Sequence, residues 1–125
     1  MTAKKILLIA STFLVLAVAI GAFGAHGLEK TLSEKALKTF ETGVRYHFYH
    51  ALGLLILGCM QHLFQQIQLK MPVLFLSAGI LLFSFNCYLY AVTGIKAMAM
   101  IVPIGGVCFI AGWATLILKI KGSKI

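Results

Sequence analysis

The stretch Ile6–Leu28, ILLIASTFLVLAVAIGAFGAHGL, contains no Asp, Glu, Lys or Arg and decides the fold. A helix needs roughly 20 mainly apolar residues to cross the hydrocarbon core of a bilayer. Three further stretches without these charged residues follow, at residues 46–69, 71–95 and 97–118. The sequence therefore predicts four membrane spans, at about 6–28, 46–69, 71–95 and 97–118.

The composition supports a membrane location. Hydrophobic residues make up 61% of the chain and charged residues 11%, with a mean hydropathy of +0.99. A soluble domain is about half apolar and a quarter charged. In lipid, backbone groups must be paired within helices or a closed barrel, and barrel strands are about ten residues long with alternating polarity. These runs are twice as long and do not alternate, so residues 1–125 are predicted to form one all-α integral membrane domain.

The net charge of +8 does not indicate a nucleic-acid-binding protein. The basic residues occur in ones and twos at the ends of the apolar runs, which is the usual pattern of membrane flanks. With four spans, the two termini and the second loop share one side. That side carries six of the eleven Lys and Arg residues. Because cytoplasmic loops are enriched in basic residues, we expect both termini on the cytoplasmic side.

The N-terminal segment has features of a signal peptide. Lys4 and Lys5 precede an apolar run, and Ala22-Phe23-Gly24 resembles a small-x-small cleavage site. The run continues to Leu28 and three more spans follow, which favours an uncleaved first helix. The three cysteines all fall inside spans, and their odd number argues against a disulfide framework.

An amphipathic helix is predicted at residues 31–45, between the first two spans. Thr31 followed by Glu34 fits a capping box. Apolar residues then recur at helical spacing, and most charged residues fall elsewhere around the helix. We expect this helix to lie at the membrane interface. Gly43 is expected to permit a bend into the second span.

Unusual residues of all four spans converge on one leaflet if the spans alternate in direction. Polar groups inside a bilayer are costly and suggest a functional site. Pro103 also removes one helical hydrogen bond and should kink the fourth span. The candidate ligand-binding residues are His26, Tyr46, His50, Tyr88, Pro103, Gly105 and Gly106.

Several chemistries can be tested against these residues. Haem would need histidines from two facing helices, and His26 with His50 could supply them. A metal site could use His26, His47 and His50, but no carboxylate or cysteine stands at a metal-binding spacing apart from Glu41, which we expect to face water. The simpler interpretation is that the histidines bond to Tyr or Thr. No nucleophile elbow and no acid buried in a span is present, which disfavours hydrolysis and ion-driven transport. The sequence predicts no enzyme, cofactor or metal.

An ordered set of motifs resembles one known family. The motifs are Gly21-Ala22-Phe23-Gly24-Ala25-His26-Gly27, Thr42-Gly43 with Tyr46 and His50, Pro103-Ile104-Gly105-Gly106, and Gly112-Trp113. Together they resemble the YgdD/YwdK-type family of small multi-pass membrane proteins, which share domain of unknown function 423. The resemblance covers nearly the whole chain, although Phe85 stands where the family commonly has a small residue. It implies a four-helix protein of the bacterial plasma (inner) membrane and no reaction.

The predicted function is that of a non-enzymatic membrane protein. We expect it to act through helix packing and contact with membrane lipids, and so to affect membrane integrity or a membrane partner complex. Its expected partners are lipids and either a second copy or another membrane protein. One alternative is a ligand- or cofactor-binding module built on His26, Tyr46 and His50. A second alternative is a small pore or carrier between the fourth span and the polar end of the third.

Overall fold

The computed structural model describes residues 1–125 and is entirely helical. A π-helical turn, Gly24–Leu28, extends the first helix, and a second one, Ile80–Ser84, joins the third helix to the fourth. The chain therefore makes four helical passes. The α-helices are α1 (Ala3–Phe23), α2 (Glu34–Leu63), α3 (Lys70–Gly79), α4 (Phe85–Thr93) and α5 (Lys96–Lys121).

Successive passes run in opposite directions. Along α1 and α2, Leu7 lies against Gly58 and Gly21 lies against Val44. The same reversal relates α3 and α5, where Leu76 contacts Gly112. Short connections between helices favour this antiparallel arrangement. Pass α1 packs mainly on α2, and α5 packs mainly on α3, α4 and the turn between them.

Three passes are long and apolar enough to cross a membrane: Ala3–Leu28, Lys70–Thr93 and Lys96–Lys121. They correspond to the first, third and fourth predicted spans. The pass through α2 is less apolar, and many of its residues are buried against the other helices. A helix shielded by its neighbours can carry polar residues at lower cost than one facing lipid. The second predicted span, 46–69, was too long, because the helix ends at Leu63.

The expected interfacial helix at 31–45 is not a separate element. One uninterrupted helix begins at Glu34 and runs to Leu63. Its N-cap is Ser33, whose hydroxyl accepts a hydrogen bond from the Ala36 amide at 3.1 Å, so the predicted cap at Thr31 was wrong. Gly43 serves close packing, since a Cβ there would lie 2.8 Å from Cβ of Cys87.

Gln61 holds the connection between α2 and α3. Its side-chain amide donates to the Ile67 carbonyl at 2.8 Å and accepts from the Leu69 amide at 3.1 Å. Gln61 is buried, and both bonds satisfy backbone groups of the non-helical loop. Backbone groups near lipid must find partners within the protein. This polar residue therefore secures a turn.

The π-helical turn Ile80–Ser84 has two stabilising contacts. The side-chain amide of Asn86 donates to the carbonyls of Leu81 at 3.3 Å and Leu82 at 3.0 Å. Gly105 of α5 approaches the turn so closely that a Cβ there would collide with the backbone of Phe83. Only glycine permits this approach. The helix of α5 continues through Pro103 without interruption, and the predicted kink stays a prediction.

Apolar side chains cover the outer surfaces of α1 and α5. In each of these two passes, only 17% of the most apolar 18-residue segment is buried inside the bundle. Such a surface would promote aggregation in water, whereas it is suited to contact with lipid. The exposed residues include Leu8, Val15, Val18 and Phe23 on α1 and Met100, Ile104, Val107, Ile110, Ile117 and Leu118 on α5.

Candidate functional site

Two histidines on α2, one turn apart, occupy different environments. His47 faces the interior between α1 and α4 and is 0% exposed. Its Nδ1 lies 2.8 Å from the hydroxyl of Tyr88, and the ring meets Phe13 and Phe85 edge-on. Its Nε2 is buried without a hydrogen-bond partner. His47 and Tyr88 therefore form an enclosed polar contact between α2 and α4.

His50 faces α5. Its ring stacks on Phe109 with centroids 3.5 Å apart and planes 8° apart. Its Nδ1 lies 2.7 Å from the backbone carbonyl of Tyr46. A carbonyl oxygen can only accept, so Nδ1 carries the hydrogen, and in the neutral ring Nε2 is an acceptor. No group of the chain bonds to Nε2, and this atom is not among the fully enclosed ones.

His50 lines an open cavity of about 480 Å³ between α2 and α5, called here the α2–α5 groove. Tyr46, 39% exposed, and Trp113, also 39% exposed, stand at its edge. The groove opens sideways on the apolar outer surface of α5. Its lining residues are Tyr46, His50, Phe83, Pro103, Gly106, Val107, Phe109, Ile110 and Trp113.

Four of the seven predicted site residues line this groove: Tyr46, His50, Pro103 and Gly106. That they bind a ligand stays a prediction. Gly105 is buried on the neighbouring face of α5, against the π-helical turn. Its role is close packing of two passes. A pore or carrier between α5 and the third pass stays a prediction.

His26 and Tyr88 do not belong to the groove. His26 is exposed in the first π-helical turn, whereas Gly24 beside it packs on Phe40 at the start of α2. The pairing of α1 with α2 places His50 level with Val15, about 16 Å from His26 along the bundle axis at 1.5 Å per residue. The structure therefore does not bring His26 to Tyr46 and His50, as the predicted cluster required. Tyr88 joins His47 instead.

The groove residues Phe83, Phe109 and Trp113 were missed by sequence reasoning. One signal was available on α5: Gly106, Phe109 or Ile110, and Trp113 recur at helical spacing from Pro103.

Phe85 fills the interior, with its ring centroid 6.5 Å from that of Phe13. The chain brings no three metal-ligating side chains together, so the histidine triad considered for a metal is not assembled.

A second cavity of about 430 Å³ lies between the end of α1 and the start of α2. Its floor is apolar and includes Gly21 and Phe40, and its rim carries Glu29, Glu41 and Arg45. The guanidinium of Arg45 bonds to the hydroxyl of Thr42 at 3.3 Å. This cavity is charged at its rim, whereas the α2–α5 groove contains no charged residue.

Comparison with known proteins places the chain in a family. A family model described as "Protein of unknown function (DUF423)" matches residues 20–106. The chain belongs to the DUF423 family. It is 39% identical over 115 residues to the UPF0382 membrane protein YwdK of Bacillus subtilis, which covers 91% of this chain and 94% of that protein.

Other members are similar over most of their length. The UPF0382 inner membrane protein YgdD of Escherichia coli K12 is 35% identical over 127 residues, 98% of this chain and 97% of that protein. The UPF0382 membrane protein SH2409 of Staphylococcus haemolyticus is 39% identical over 116 residues, 93% of this chain and 94% of that protein. No solved structure matches the chain. The family and the three apolar passes make this chain a multi-pass membrane protein.

Proposed function

We propose that this DUF423 protein crosses the bacterial plasma membrane four times. Support for a fourth crossing comes from α2, which has 30 residues and lies alongside α1 from Val44 to Gly58. A helix of that length spans about 45 Å, more than the hydrocarbon thickness. Its first turns, Glu34 to Arg45, would then extend to headgroup level and have the interfacial role predicted for residues 31–45.

The proposed orientation places both termini in the cytoplasm. Lys4, Lys5 and Lys70 stand at the same end of the bundle, because α1 and α3 both begin there. Lys119 and Lys121 end α5 at that level. Basic residues near span ends favour the cytoplasmic side.

Cysteine labelling tests the crossings and the orientation together. In a background without Cys59, Cys87 and Cys108, Thr31→Cys and Ser123→Cys place one thiol at each end of the bundle. A membrane-impermeant maleimide should label Thr31→Cys in intact spheroplasts and Ser123→Cys only after permeabilisation. Labelling of both positions from outside would contradict four crossings, and the reverse pattern would contradict the orientation.

The proposed role is non-enzymatic: the protein acts on the membrane through lipid contact and helix packing. The observation that supports this proposal is the exposed apolar surface of α1 and α5. In each of these passes, only 17% of the most apolar 18-residue segment is buried inside the bundle. So large an outer surface is available to lipid, to a second copy or to another membrane protein. The buried amides of Gln61 and Asn86 are occupied in holding a loop and a helical turn.

A deletion strain tests this role. Cells without the protein should take up more propidium iodide after an osmotic downshift than cells that carry it. Crosslinking within the membrane, followed by mass spectrometry, tests whether the protein contacts a second copy of itself or another membrane protein. Equal dye uptake, together with no crosslinked copy or partner, would overturn the proposed role.

A further inference from the structure

We propose that the α2–α5 groove is a binding site for an uncharged, membrane-soluble molecule that donates a hydroxyl hydrogen to Nε2 of His50. The chemical class is a long-chain or isoprenoid alcohol. The inference goes beyond the proposed function. It requires that α5 faces lipid, and it does not depend on any effect on membrane integrity.

The unused acceptor on His50 is the first step. The side chain is 6% exposed, and stacking on Phe109 fixes its ring. Nδ1 is committed to the Tyr46 carbonyl, which leaves the Nε2 lone pair without a partner in the chain. An acceptor that faces lipid without a partner costs free energy that a bound hydroxyl would recover. The groove therefore offers one hydrogen-bond acceptor at a fixed position.

The surroundings of this acceptor exclude a charged head group. Apart from Tyr46 and His50, the groove is lined by Pro, Gly and apolar or aromatic residues. No Lys, Arg, Asp or Glu is among them. A phosphate or ammonium group brought here would lose its hydration without gaining an opposite charge. The occupant that fits is neutral.

The depth of the groove points to a molecule that dissolves wholly in the bilayer. His50 stacks on Phe109, which is near the middle of α5, and the two ends of α5 carry Lys96 and Lys121. A phospholipid keeps its polar head at the surface and could offer only acyl chains at this level. A fatty or isoprenoid alcohol can place its hydroxyl at this depth at a modest cost in free energy, because Nε2 of His50 accepts the hydrogen bond.

The size and shape of the groove suit such a ligand. Its volume of about 480 Å³ falls within the usual range of small-molecule sites, roughly 300–1,000 Å³. It opens toward lipid at Val107 and Ile110, which are 64% and 71% exposed. A ligand can therefore enter from the bilayer without passing through water, and its chain can extend along α5.

Photolabelling in nanodiscs tests the hydroxyl requirement. The probe is hexadecanol carrying a diazirine in its chain, and the matched control probe is its O-methyl ether, which cannot donate. Groove peptides should be labelled by the alcohol roughly five- to tenfold more than by the ether, the factor expected for one net hydrogen bond. Equal labelling by the two probes would overturn the proposal.

Two variants test the position of the site. Ile110→Trp should fill the groove and lower labelling by the alcohol at least severalfold, whereas Ile117→Trp, on the same helix and outside the groove, should leave it unchanged. His50→Phe should remove the preference for the alcohol over the ether. If His50→Phe does not fold, the comparison of the two probes on the wild-type protein and the comparison of Ile110→Trp with Ile117→Trp still test the proposal. Unaltered labelling of Ile110→Trp would contradict the site.

Competition distinguishes a specific site from ordinary lipid contact. Unlabelled hexadecanol should displace the probe from the groove, and dipalmitoyl phosphatidylethanolamine at the same concentration should not. Equal competition by the phospholipid would show that the groove holds acyl chains only, and the proposal would fall. Because these readouts measure binding directly, their failure would leave the deletion-strain result untouched.

Discussion

His47 and His50 stand one turn apart on α2, yet His47 is enclosed in the bundle and His50 borders an open groove. His47 meets Tyr88 inside the bundle, where no outside molecule reaches it. His50 stacks on Phe109 beside a groove that opens on the outer surface of α5. The same side chain therefore has two uses. His47 bonds to Tyr88 inside the bundle, and His50 leaves a ring nitrogen available to the groove.

Gly105 and Gly106 repeat this contrast on α5. Gly105 packs against the backbone of Leu82 and Phe83, whereas a Cβ at Gly106 would meet its nearest atom, in the Phe83 ring, only at 3.9 Å. In lipid, helices associate chiefly through close packing and polar contacts, because burial of apolar surface no longer drives them together. The enclosed faces of α2 and α5 should therefore carry the stability, and the groove should carry little of it.

The largest effect is expected from Gly105→Ala. Its new Cβ would collide with backbone atoms that cannot rotate away, so the free energy of unfolding should fall by about 3 kcal/mol. Gly106→Ala is the matched control and should be neutral or slightly stabilising, because alanine favours helix. Thermal unfolding in detergent measures both. Equal losses from the two variants would contradict the packing assigned to Gly105.

Tyr88→Phe should have the next largest effect. It leaves Nδ1 of His47 without its partner in an enclosed site, which should lower the free energy of unfolding by about 2 kcal/mol. Tyr49, 59% exposed, forms no hydrogen bond within the chain, so Tyr49→Phe is the control and should change little. Matching unfolding temperatures for the two variants would remove the proposed role of the enclosed contact.

Asn86→Leu tests the second π-helical turn, on the enclosed side of the bundle. Loss of the two bonds to the Leu81 and Leu82 carbonyls should lower the free energy of unfolding by about 1.5 kcal/mol. Thr93→Val serves as control, because it removes only local bonds on an exposed surface: the hydroxyl donates to the Leu89 carbonyl at 2.6 Å and accepts from the Ile95 amide at 3.3 Å. Amide hydrogen exchange should rise across Ile80–Ser84 in Asn86→Leu alone. Unchanged exchange there would mean that the turn does not need Asn86.

The smallest effect on stability is expected from His50→Phe. Phenylalanine can keep the stack on Phe109, and the lost bond to the Tyr46 carbonyl is local, so the free energy of unfolding should change by less than about 1 kcal/mol. A loss as large as that of Tyr88→Phe would show that His50 holds the bundle together. The groove would then be part of the packing rather than a site set aside for a ligand.

The passes and part of the site could be predicted from the sequence. Long runs without charge specify the helices of a membrane protein almost alone, because few other structures survive in lipid. Tyr46, His50, Pro103 and Gly106 were expected near one another, since antiparallel passes bring those levels together. All four line the groove.

Other features depend on details that the runs of apolar residues do not contain. The register between α1 and α2 puts His26 at the end of the bundle, away from His50. The rotation of α2 decides that His47, and not His50, meets Tyr88. The break between α2 and α3 depends on Gln61, whose side-chain amide bonds to backbone groups of the loop. The Ser33 cap was missed because Thr31 and Glu34 fit the spacing of a capping box, whereas Ser33 is followed three residues later by Ala36.

The contrast between the two histidines can be measured directly in a bilayer. With 16-doxyl stearate dissolved in nanodiscs, paramagnetic broadening of the imidazole signals reports how closely lipid chains approach each ring. The two rings lie within about 5 Å of the same depth, at 1.5 Å per residue. We expect strong broadening for His50 and weak broadening for His47, and added hexadecanol should protect His50. Equal broadening of both rings would contradict the contrast between the two histidines.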